Sequence, residues 1–218
     1  MEDRICYIVG AGENYGLDFV PLLGDYVIAA DGGLKHLEQN GIHADLVIGD
    51  FDTLQYEPIH PNVIALNKVK DDTDTLAAVR EGINKGYLVF HIYCGMGGKI
   101  EHTLSNIQVL GFLSQQNITG FLFGNNCVVT AITNGELEFS SDACGNISVF
   151  SFSEKSTGVH LKGLKYELDN VTLTNTFPIG VSNELVGKDS VVSVTEGTIL
   201  VVFPKGALNT KLNIRRIL

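Results

Sequence analysis

The sequence has few cysteines and no long apolar run. Its four cysteines in 218 residues are too sparse for a disulfide scaffold, and no two have the spacing of a zinc or redox motif. We expect them to be reduced, small core residues. The longest clean apolar run, at 199–203, is far too short to span a bilayer. Because the first residues lack a basic start followed by a long apolar centre, we expect no signal peptide and a cytoplasmic location. The cysteines are Cys6, Cys94, Cys127 and Cys144.

Basic residues are also scarce. The 15 lysines and arginines face 25 acidic residues, which gives a formal net charge of -10 and a pI of about 4.9. A surface with this balance repels a phosphate backbone, so we do not expect nucleic acid as a partner. It does not exclude a nucleotide whose phosphates are neutralised by a divalent cation.

The first part of the chain alternates apolar runs with segments of helical spacing. In "TLAAVREGINKG", for example, Leu76, Val79 and Ile83 recur as one face of a helix. Strands that alternate with helices and are apolar nearly throughout are typical of a parallel sheet covered on both faces. The pattern predicts an α/β domain over residues 1–125, with a Rossmann-like parallel sheet and flanking helices.

The pattern changes after about residue 125. Short β-type runs are separated there by Gly, Asn, Asp and Ser, as in "CVVTAIT", "GELEFS" and "NISVFSFS". Such spacing is typical of an antiparallel β-sandwich. We therefore predict a second domain over residues 126–218, a C-terminal antiparallel β-sandwich.

Acidic residues follow three of the predicted strands. In an open parallel sheet the carboxyl ends of the strands form one edge, where ligands bind. Carboxylates from three strand ends repel one another unless a hard cation lies among them, and Mg²⁺ is usually held by one or two carboxylates with waters and phosphates. The sequence therefore predicts a cation site at this edge. The residues are Asp31 after the second strand, Asp50 and Asp52 after the third, and Asp71, Asp72 and Asp74 after the fourth.

Each of these acids also has a simpler interpretation. Asp is common in βα loops as a turn former or helix N-cap, and Asp72 is a candidate for capping the helix that follows it. Capping does not account for six acids at three strand ends. Three glycine-rich turns, "GAGENYG", "DGG" and "GMGGK", also follow strands, and glycine lets backbone N–H groups approach a phosphate closely.

Two enzyme classes match parts of this pattern. "GAGENYG" is similar to a dinucleotide-binding G-x-G-x-x-G but has one residue too many, and an oxidoreductase would leave Asp50, Asp52 and the acids of 71–74 unused. "DFDTL" at 50–54 matches the D-x-D-x-T motif of haloacid dehalogenase-type phosphohydrolases, in which the motif follows the first strand. Here two predicted strands precede it.

Five segments in order carry a more specific resemblance. "ADGG" at 30–33, "GDFDT" at 49–53, "KDDTDT" at 70–75, "GGKIEHTLSN" at 97–106 and "GVSNE" at 180–184 together resemble the thiamine pyrophosphokinase family in its bacterial form. The resemblance implies transfer of the pyrophosphoryl group of ATP to the hydroxyl of thiamine, which gives thiamine diphosphate and AMP and requires Mg²⁺. It also implies a homodimer whose active sites are shared between the α/β domain of one subunit and the sandwich of the other.

The resemblance also implies which residues act. The metal-binding and catalytic residues would be Asp50, Asp52, Asp71 and Asp74. The residues on the ATP side would be Asp31, Gly32, Gly33, Thr73, Lys99, His102 and Asn106, and those on the thiamine side Ser182 and Asn183. Asp72 occupies the variable position of its motif.

The sequence departs from the family pattern at three points. Lys99 and Glu101 stand where the family usually has Arg and Asp, and a lysine meets a phosphate as a point charge rather than in bidentate fashion. The chain has no tryptophan, which some members place against thiamine, so another apolar residue must take that place. A non-enzymatic protein that binds thiamine or a nucleotide on the same fold is a further alternative, and retention of every acid in three motifs argues against it.

Overall fold

The chain folds into two compact units rich in β-structure with few helices. The structure is a computed structural model that describes residues 4–54, 56, 58–67, 72–208 and 213–216. The first unit comprises residues 1–109 and 118–125, and the second comprises 110–117 and 126–218. Residues 110–117 thus belong to the second unit, whereas the predicted boundary assigned them to the first domain.

The first unit combines strands with helices, but the predicted alternation is incomplete, because no described helix lies between β1 and β2 or between β3 and β4. Its strands are β1 Ile5–Val9, β2 Tyr26–Ala30, β3 Leu46–Gly49, β4 Val63–Ala65, β5 Val89–Tyr93 and β6 Thr119–Phe123. Its helices are α1 Gly33–Gln39, α2 Asp74–Asn84 and α3 Ile100–Gln115, the last of which ends in residues of the second unit. Helix α1 ends at Gln39, and Gly41 just beyond it has a left-handed backbone.

All strand pairs of this unit are parallel, as predicted. The strand order is β6, β5, β1, β2, β3, β4, so β1 lies between β2 and β5. In register, Ile8 of β1 stands opposite Ile28 of β2 and Ile92 of β5, and all three are fully buried. Because successive strands β1 to β4 extend the sheet one way and β5 extends it the other, a crevice opens at the carboxyl ends of β1 and β5.

The second unit is built from antiparallel strands. They are β7 Cys127–Phe139, β8 Cys144–Ser151, β9 Lys155–Lys162, β10 Leu168–Thr174, β11 Asn183–Val186, β12 Ser190–Pro204 and β13 Asn213–Arg216, with the short helix α4 Lys205–Leu208 between the last two. The long strand β12 pairs with β7, β8 and β9. Further pairs join β9 to β10, β8 to β11 and β7 to β13. The rings of Phe139 and Phe203 meet edge to face in its core at 5.2 Å.

The second unit differs from the sequence prediction in three strands. The predicted break near Asn134 is not a chain reversal, because β7 continues through it. Asn134 has a φ of 47° and its side chain accepts a hydrogen bond from Gly197 N at 2.9 Å, where the pairing of β7 with β12 shifts register. The turn-type residue therefore forms a bulge within two long strands. Strands β11 and β13 had no predicted counterpart.

The cysteines match the prediction only in part. All four are free thiols, and Cys6 and Cys94 are buried. Cys127 is half-buried and Cys144 is exposed, so placing these two in the core was wrong. Among the residues that the structure describes, no helix is long and apolar enough to cross a membrane.

Candidate active site

Three aspartates meet at the carboxyl edge of the first unit. One carboxylate oxygen from each of Asp31, Asp50 and Asp52 lies within 4.8 Å of the other two. Asp31 is only 4% exposed, whereas Asp50 is half-buried and Asp52 is exposed. The sequence predicted that acids from the second and third strands would meet here, and the structure places them together.

The ends of β2 and β3 bring Asp31 and Asp50 into contact range. Asp31 N donates to Ile48 O at 2.8 Å. This hydrogen bond joins the residue after β2 to the end of β3. A β-carbon on Gly49 would lie 3.0 Å from Asp31 Cα, so this approach requires glycine at position 49. Phe51 is buried, and the acids on either side of it face the cleft.

The three acids line a cleft of about 290 Å³ that we call the acidic cleft. Asp74, Thr73 and Lys99 line it as well, so most of the residues predicted for the metal and for ATP come together here. The full lining is Ala11, Ala30, Asp31, Asp50, Asp52, Thr53, Thr73, Asp74, Thr75, Lys99 and His102. The predicted metal and catalytic residue Asp71 lies outside the described residues.

The residues that begin α2 have separate roles. Thr73 is the N-cap, since its Oγ1 accepts a hydrogen bond from Leu76 N at 3.2 Å. Asp74 is the first residue of the helix, where an acid interacts favourably with the helix dipole. Asp72, proposed above as a cap, instead forms an ion pair with Arg80, with Nε to Oδ2 at 3.3 Å. Only Thr73 and Asp74 of these three line the acidic cleft.

The acidic cleft fits a divalent cation by the chemistry of its donors. Asp31 Oδ1 is buried and has no hydrogen-bond partner among the described residues. A buried carboxylate oxygen without a partner is costly, and a hard cation held by Asp31, Asp50 and Asp52 would supply that partner. The set differs from the predicted one, because Asp31 was assigned to the ATP side.

A second cleft adjoins the first. It has a volume of about 270 Å³, and we call it the glycine cleft. It shares Ala11, Thr53, Thr75, Lys99 and His102 with the acidic cleft. Its remaining lining is Gly12, Cys94, Gly95, Gly97, Gly98 and Asn106. Burial raises the pKa of the Cys94 thiol to about 11, so this thiol is protonated at neutral pH and is not a nucleophile.

Asn106 supports the wall of the glycine cleft from within. The residue is buried, and its Nδ2 donates to Gly95 O at 2.6 Å. Asn106 therefore holds the turn that follows β5 as well as lining the cleft. Glu101 lies in the first turn of α3 and is not among the lining residues of either cleft.

Three non-glycine residues with a left-handed backbone lie at the same strand ends. Asp31, Phe51 and Cys94 follow β2, β3 and β5, and their φ angles are 47°, 59° and 51°. Residues other than glycine rarely adopt this left-handed conformation, and they persist at functional sites where the surroundings fix them. Together with the crevice at the carboxyl ends of β1 and β5, these conformations make this edge the candidate functional one.

Gly32 and Gly33, which were predicted to contact ATP, have a packing role in the structure. A β-carbon on Gly33 would meet Val9 O at 1.8 Å, and one on Gly32 would meet the Thr53 side chain at 2.9 Å. Both glycines therefore allow α1 to start close to β1 and to the acidic cleft. Contacts of these two residues with ATP stay a prediction.

The predicted thiamine residues lie in the second unit, where β11 begins. Ser182 is exposed, and its backbone N donates to Ser148 Oγ at 3.0 Å. Asn183 is 6% exposed, and its side-chain amide is used within the protein: Oδ1 accepts from Tyr166 N at 2.9 Å and Nδ2 donates to Tyr166 O at 2.6 Å. Asn183 thus fixes the backbone of Tyr166, whose side chain is 62% exposed.

The sequence analysis missed several residues of the two clefts. Thr53 and Thr75 line both clefts and are the final residues of "GDFDT" and "KDDTDT", so their motif positions could have indicated them. Ala11 and Gly12 belong to the glycine-rich turn after β1, which was noted without a role for either residue. No sequence signal identified Tyr166.

Two family models match the chain. The catalytic-domain model of thiamin pyrophosphokinase matches residues 24–122. The model of the vitamin B1 binding domain of thiamin pyrophosphokinase matches residues 135–199.

Two curated relatives carry the same name. The thiamine pyrophosphokinase of Bacillus subtilis (strain 168) is 28% identical over 182 residues, which is 80% of this chain and 85% of that protein. Thiamin pyrophosphokinase 1 of Caenorhabditis elegans is 26% identical over 177 residues, 73% of this chain and 71% of that protein.

Solved structures share the fold. The crystal structure of thiamine pyrophosphokinase from Bacillus subtilis superposes with a TM-score of 0.75 at 25% identity, covering 92% of this chain and 99% of that one. Thiamin pyrophosphokinase from Candida albicans gives a TM-score of 0.72 at 16% identity, with 92% and 90% covered, and shows likeness of fold alone. These structures have the same mixed α/β fold. Since the catalytic and vitamin B1 binding models follow one another along the chain and together match more than half of it, the chain belongs to the thiamine pyrophosphokinase family.

Proposed function

We propose that the protein transfers the pyrophosphoryl group of ATP to the hydroxyl of thiamine, forming thiamine diphosphate and AMP. In this reaction the hydroxyl oxygen of thiamine bonds to the β-phosphorus. The bond from the β-phosphorus to the oxygen that bridges it to the α-phosphorus breaks, and AMP leaves with that oxygen. The observation that carries the proposal is the acidic cleft, in which three carboxylates converge within 4.8 Å beside Lys99.

We propose that Asp31, Asp50, Asp52 and Asp74 hold Mg²⁺ with the phosphates of ATP, and Asp71 is proposed with them from the family motif. When bound, the cation neutralises charge on the phosphates and on the leaving AMP. Lys99 lines both clefts, so its ammonium group can contact the phosphate chain as a point charge. A carboxylate of the acidic cleft accepts the hydroxyl proton of thiamine.

The glycine cleft is the proposed location of the nucleoside of ATP and of the phosphate next to it. It adjoins the acidic cleft, and four of its lining residues are glycines, whose backbone can approach a ligand closely. His102 faces both clefts and Asn106 fixes the wall. These two residues, Lys99 and Thr73 are four of the seven residues predicted for the ATP side.

We propose that residues 126–218 form a β-sandwich that binds thiamine and makes the dimer. The proposed Rossmann-like domain comprises residues 1–125. Tyr166 is the proposed aromatic surface for thiamine in a chain without tryptophan. Its ring is exposed and its backbone is held at both N and O by Asn183, while Ser182 offers an exposed hydroxyl. A homodimer with shared active sites and a cytoplasmic location remain predictions.

The test of the reaction is product analysis. Incubating the protein with ATP, Mg²⁺ and thiamine should yield AMP and thiamine diphosphate in equal amounts, separated by chromatography. ADP with thiamine monophosphate would instead indicate transfer of one phosphoryl group and would contradict the proposal. The phosphohydrolase alternative has no support in the fold, because Asp50–Thr53 follows β3 rather than the first strand. A phosphohydrolase of this type would release inorganic phosphate from ATP without needing thiamine.

Subunit mixing tests the shared site. A Ser182→Ala, Asn183→Ala double variant and an Asp74→Asn variant should each be nearly inactive. After random exchange half of the dimers are mixed, and each mixed dimer has one intact site, so about a quarter of wild-type activity should return. If activity does not return after native mass spectrometry verifies the exchange, the two sets of residues do not complete one site across subunits.

A further inference from the structure

The carboxylate of Glu13 lies on the glycine-rich turn that follows β5. Its Oε1 accepts a hydrogen bond from Gly98 N at 3.2 Å, and its Oε2 accepts one from Tyr15 Oη at 2.7 Å. Both hydrogen bonds, and the one from Tyr15 more strongly, hold the pKa of Glu13 below its ordinary value. Glu13 is therefore ionised at neutral pH, and a negative charge is held at the N–H of Gly98.

The two glycine-rich turns are joined by backbone contacts as well. Gly12 N donates to Cys94 O at 2.7 Å, and Glu13 N donates to Met96 O at 3.1 Å. The turn after β5 has left-handed φ angles of 78° at Gly97 and 62° at Gly98. A β-carbon on Gly97 would lie 2.6 Å from Tyr15 Oη. The position of Glu13 is thus set by packing of the turn after β1 against the turn after β5, at the carboxyl ends of these two paired strands.

The turn that carries Gly98 N also lines the proposed nucleotide site, although Glu13 itself lines neither cleft. Gly97, Gly98 and Lys99 all line the glycine cleft, and backbone N–H groups of such a turn favour anions. A carboxylate oxygen and a phosphate oxygen make the same demand on an N–H donor, and one such donor cannot satisfy both well. Two anions at this turn would also repel each other.

We propose that Glu13 occupies the place of an anionic oxygen of ATP at Gly98 N and has to leave when the nucleotide binds. The inference rests on the proposed function, because it takes the nucleotide to enter the glycine cleft. Glu13 is exposed, so its side chain can rotate into solvent without disturbing the core. The state in which Glu13 accepts from Gly98 N competes with nucleotide binding and therefore lowers the apparent affinity for the nucleotide.

The experiment is calorimetric titration of the full-length protein with Mg²⁺ and a non-hydrolysable ATP analogue. Glu13→Ala removes both the charge and the acceptor, and Glu13→Gln removes the charge but keeps an acceptor for Gly98 N. Binding should tighten by about three- to tenfold in Glu13→Ala and by less in Glu13→Gln. Glu38→Gln, which neutralises an exposed acid near the end of α1, is the control for net charge and should bind as the wild type does.

A second measurement separates displacement from a change in stability. In ¹⁵N-labelled wild-type protein the Gly98 amide resonance should shift on adding the analogue. In nucleotide-free Glu13→Ala it should already have moved away from its nucleotide-free wild-type position. Circular dichroism confirms that each variant is folded. Unchanged or weaker binding in both Glu13 variants would overturn the inference. If wild-type protein fails to bind the analogue at all, the proposed function itself fails.

Discussion

Asp31→Asn should make the cation-free protein more stable while it removes activity. The substitution keeps the size and shape of the side chain, and asparagine tolerates the left-handed backbone at this position. Asp31 has two like-charged neighbours, with carboxylate oxygens no more than 4.8 Å away. Two such charges repel by about 1 kcal/mol in a water-like medium and by about 3 kcal/mol at an effective dielectric constant of ~20.

Asp52 is exposed but Asp31 is buried, so the water-like figure is the lower limit, and relief of two repulsions then gives at least about 2 kcal/mol. For a chain of this length that corresponds to a rise of about 5 °C in the melting temperature without divalent cation. Adding Mg²⁺ should stabilise the wild type and should stabilise Asp31→Asn much less. Turnover should fall by at least about a hundredfold, since charge neutralisation in the transition state is worth several kcal/mol.

Thermal unfolding with and without Mg²⁺, followed by circular dichroism, measures both effects. Asp72→Asn is the matched control, because it makes the same change of charge at a residue that pairs with Arg80 rather than lining the acidic cleft. It should cost at most about 1 kcal/mol of stability and should not alter the response to Mg²⁺. A cation-free Asp31→Asn protein that melts below the wild type and keeps its full response to Mg²⁺ would refute the reasoning.

Three further predictions concern other residues. Asp74→Asn should lower AMP formation by orders of magnitude, and equal effects of Asp74→Asn and Asp72→Asn would contradict the proposed metal-binding role. Tyr166→Ala should weaken thiamine binding in calorimetry while Tyr166→Phe retains it, and equal affinities in both would exclude an aromatic contact. Burial lowers the pKa of His91 to about 4, so the folded state binds this proton less readily than the unfolded state does. The free energy of unfolding should therefore fall as the pH drops from about 7 towards 4, by about 2 kcal/mol at pH 5. Urea unfolding measures this loss, and His91→Phe should remove the part that His91 causes. An unchanged pH dependence in His91→Phe would contradict this role of His91.

Much of the first unit could be predicted from the sequence, as could the edge at which its acids meet. Short runs that are apolar nearly throughout are typical of buried strands, and segments of helical spacing between them favour parallel pairing. The acids of "ADGG" and "GDFDT" could be placed together because parallel strands end at one edge. What the sequence could not indicate is which acids share one cation, since the grouping of Asp31 with Asp50 depends on the close approach at Gly49.

The second unit was harder to predict for physical reasons. An asparagine such as Asn134 forms a turn or a bulge with the same local conformation, and only pairing with β12 decides between them. The role of Asn183 likewise depends on Tyr166, which lies 17 residues earlier. The contact of Glu13 with Gly98 spans 85 positions and follows from packing of the turn after β1 against the turn after β5, so no local pattern could have predicted it.

The most direct test of the proposed reaction follows individual phosphorus atoms of ATP. Two reactions are run with Mg²⁺ and thiamine, one with ATP labelled at the α-phosphorus and the other with ATP labelled at the β-phosphorus. Attack at the β-phosphorus predicts that the α label is recovered in AMP and the β label in thiamine diphosphate, one for one. Recovery of the β label in ADP, or its absence from every thiamine product, would contradict pyrophosphoryl transfer.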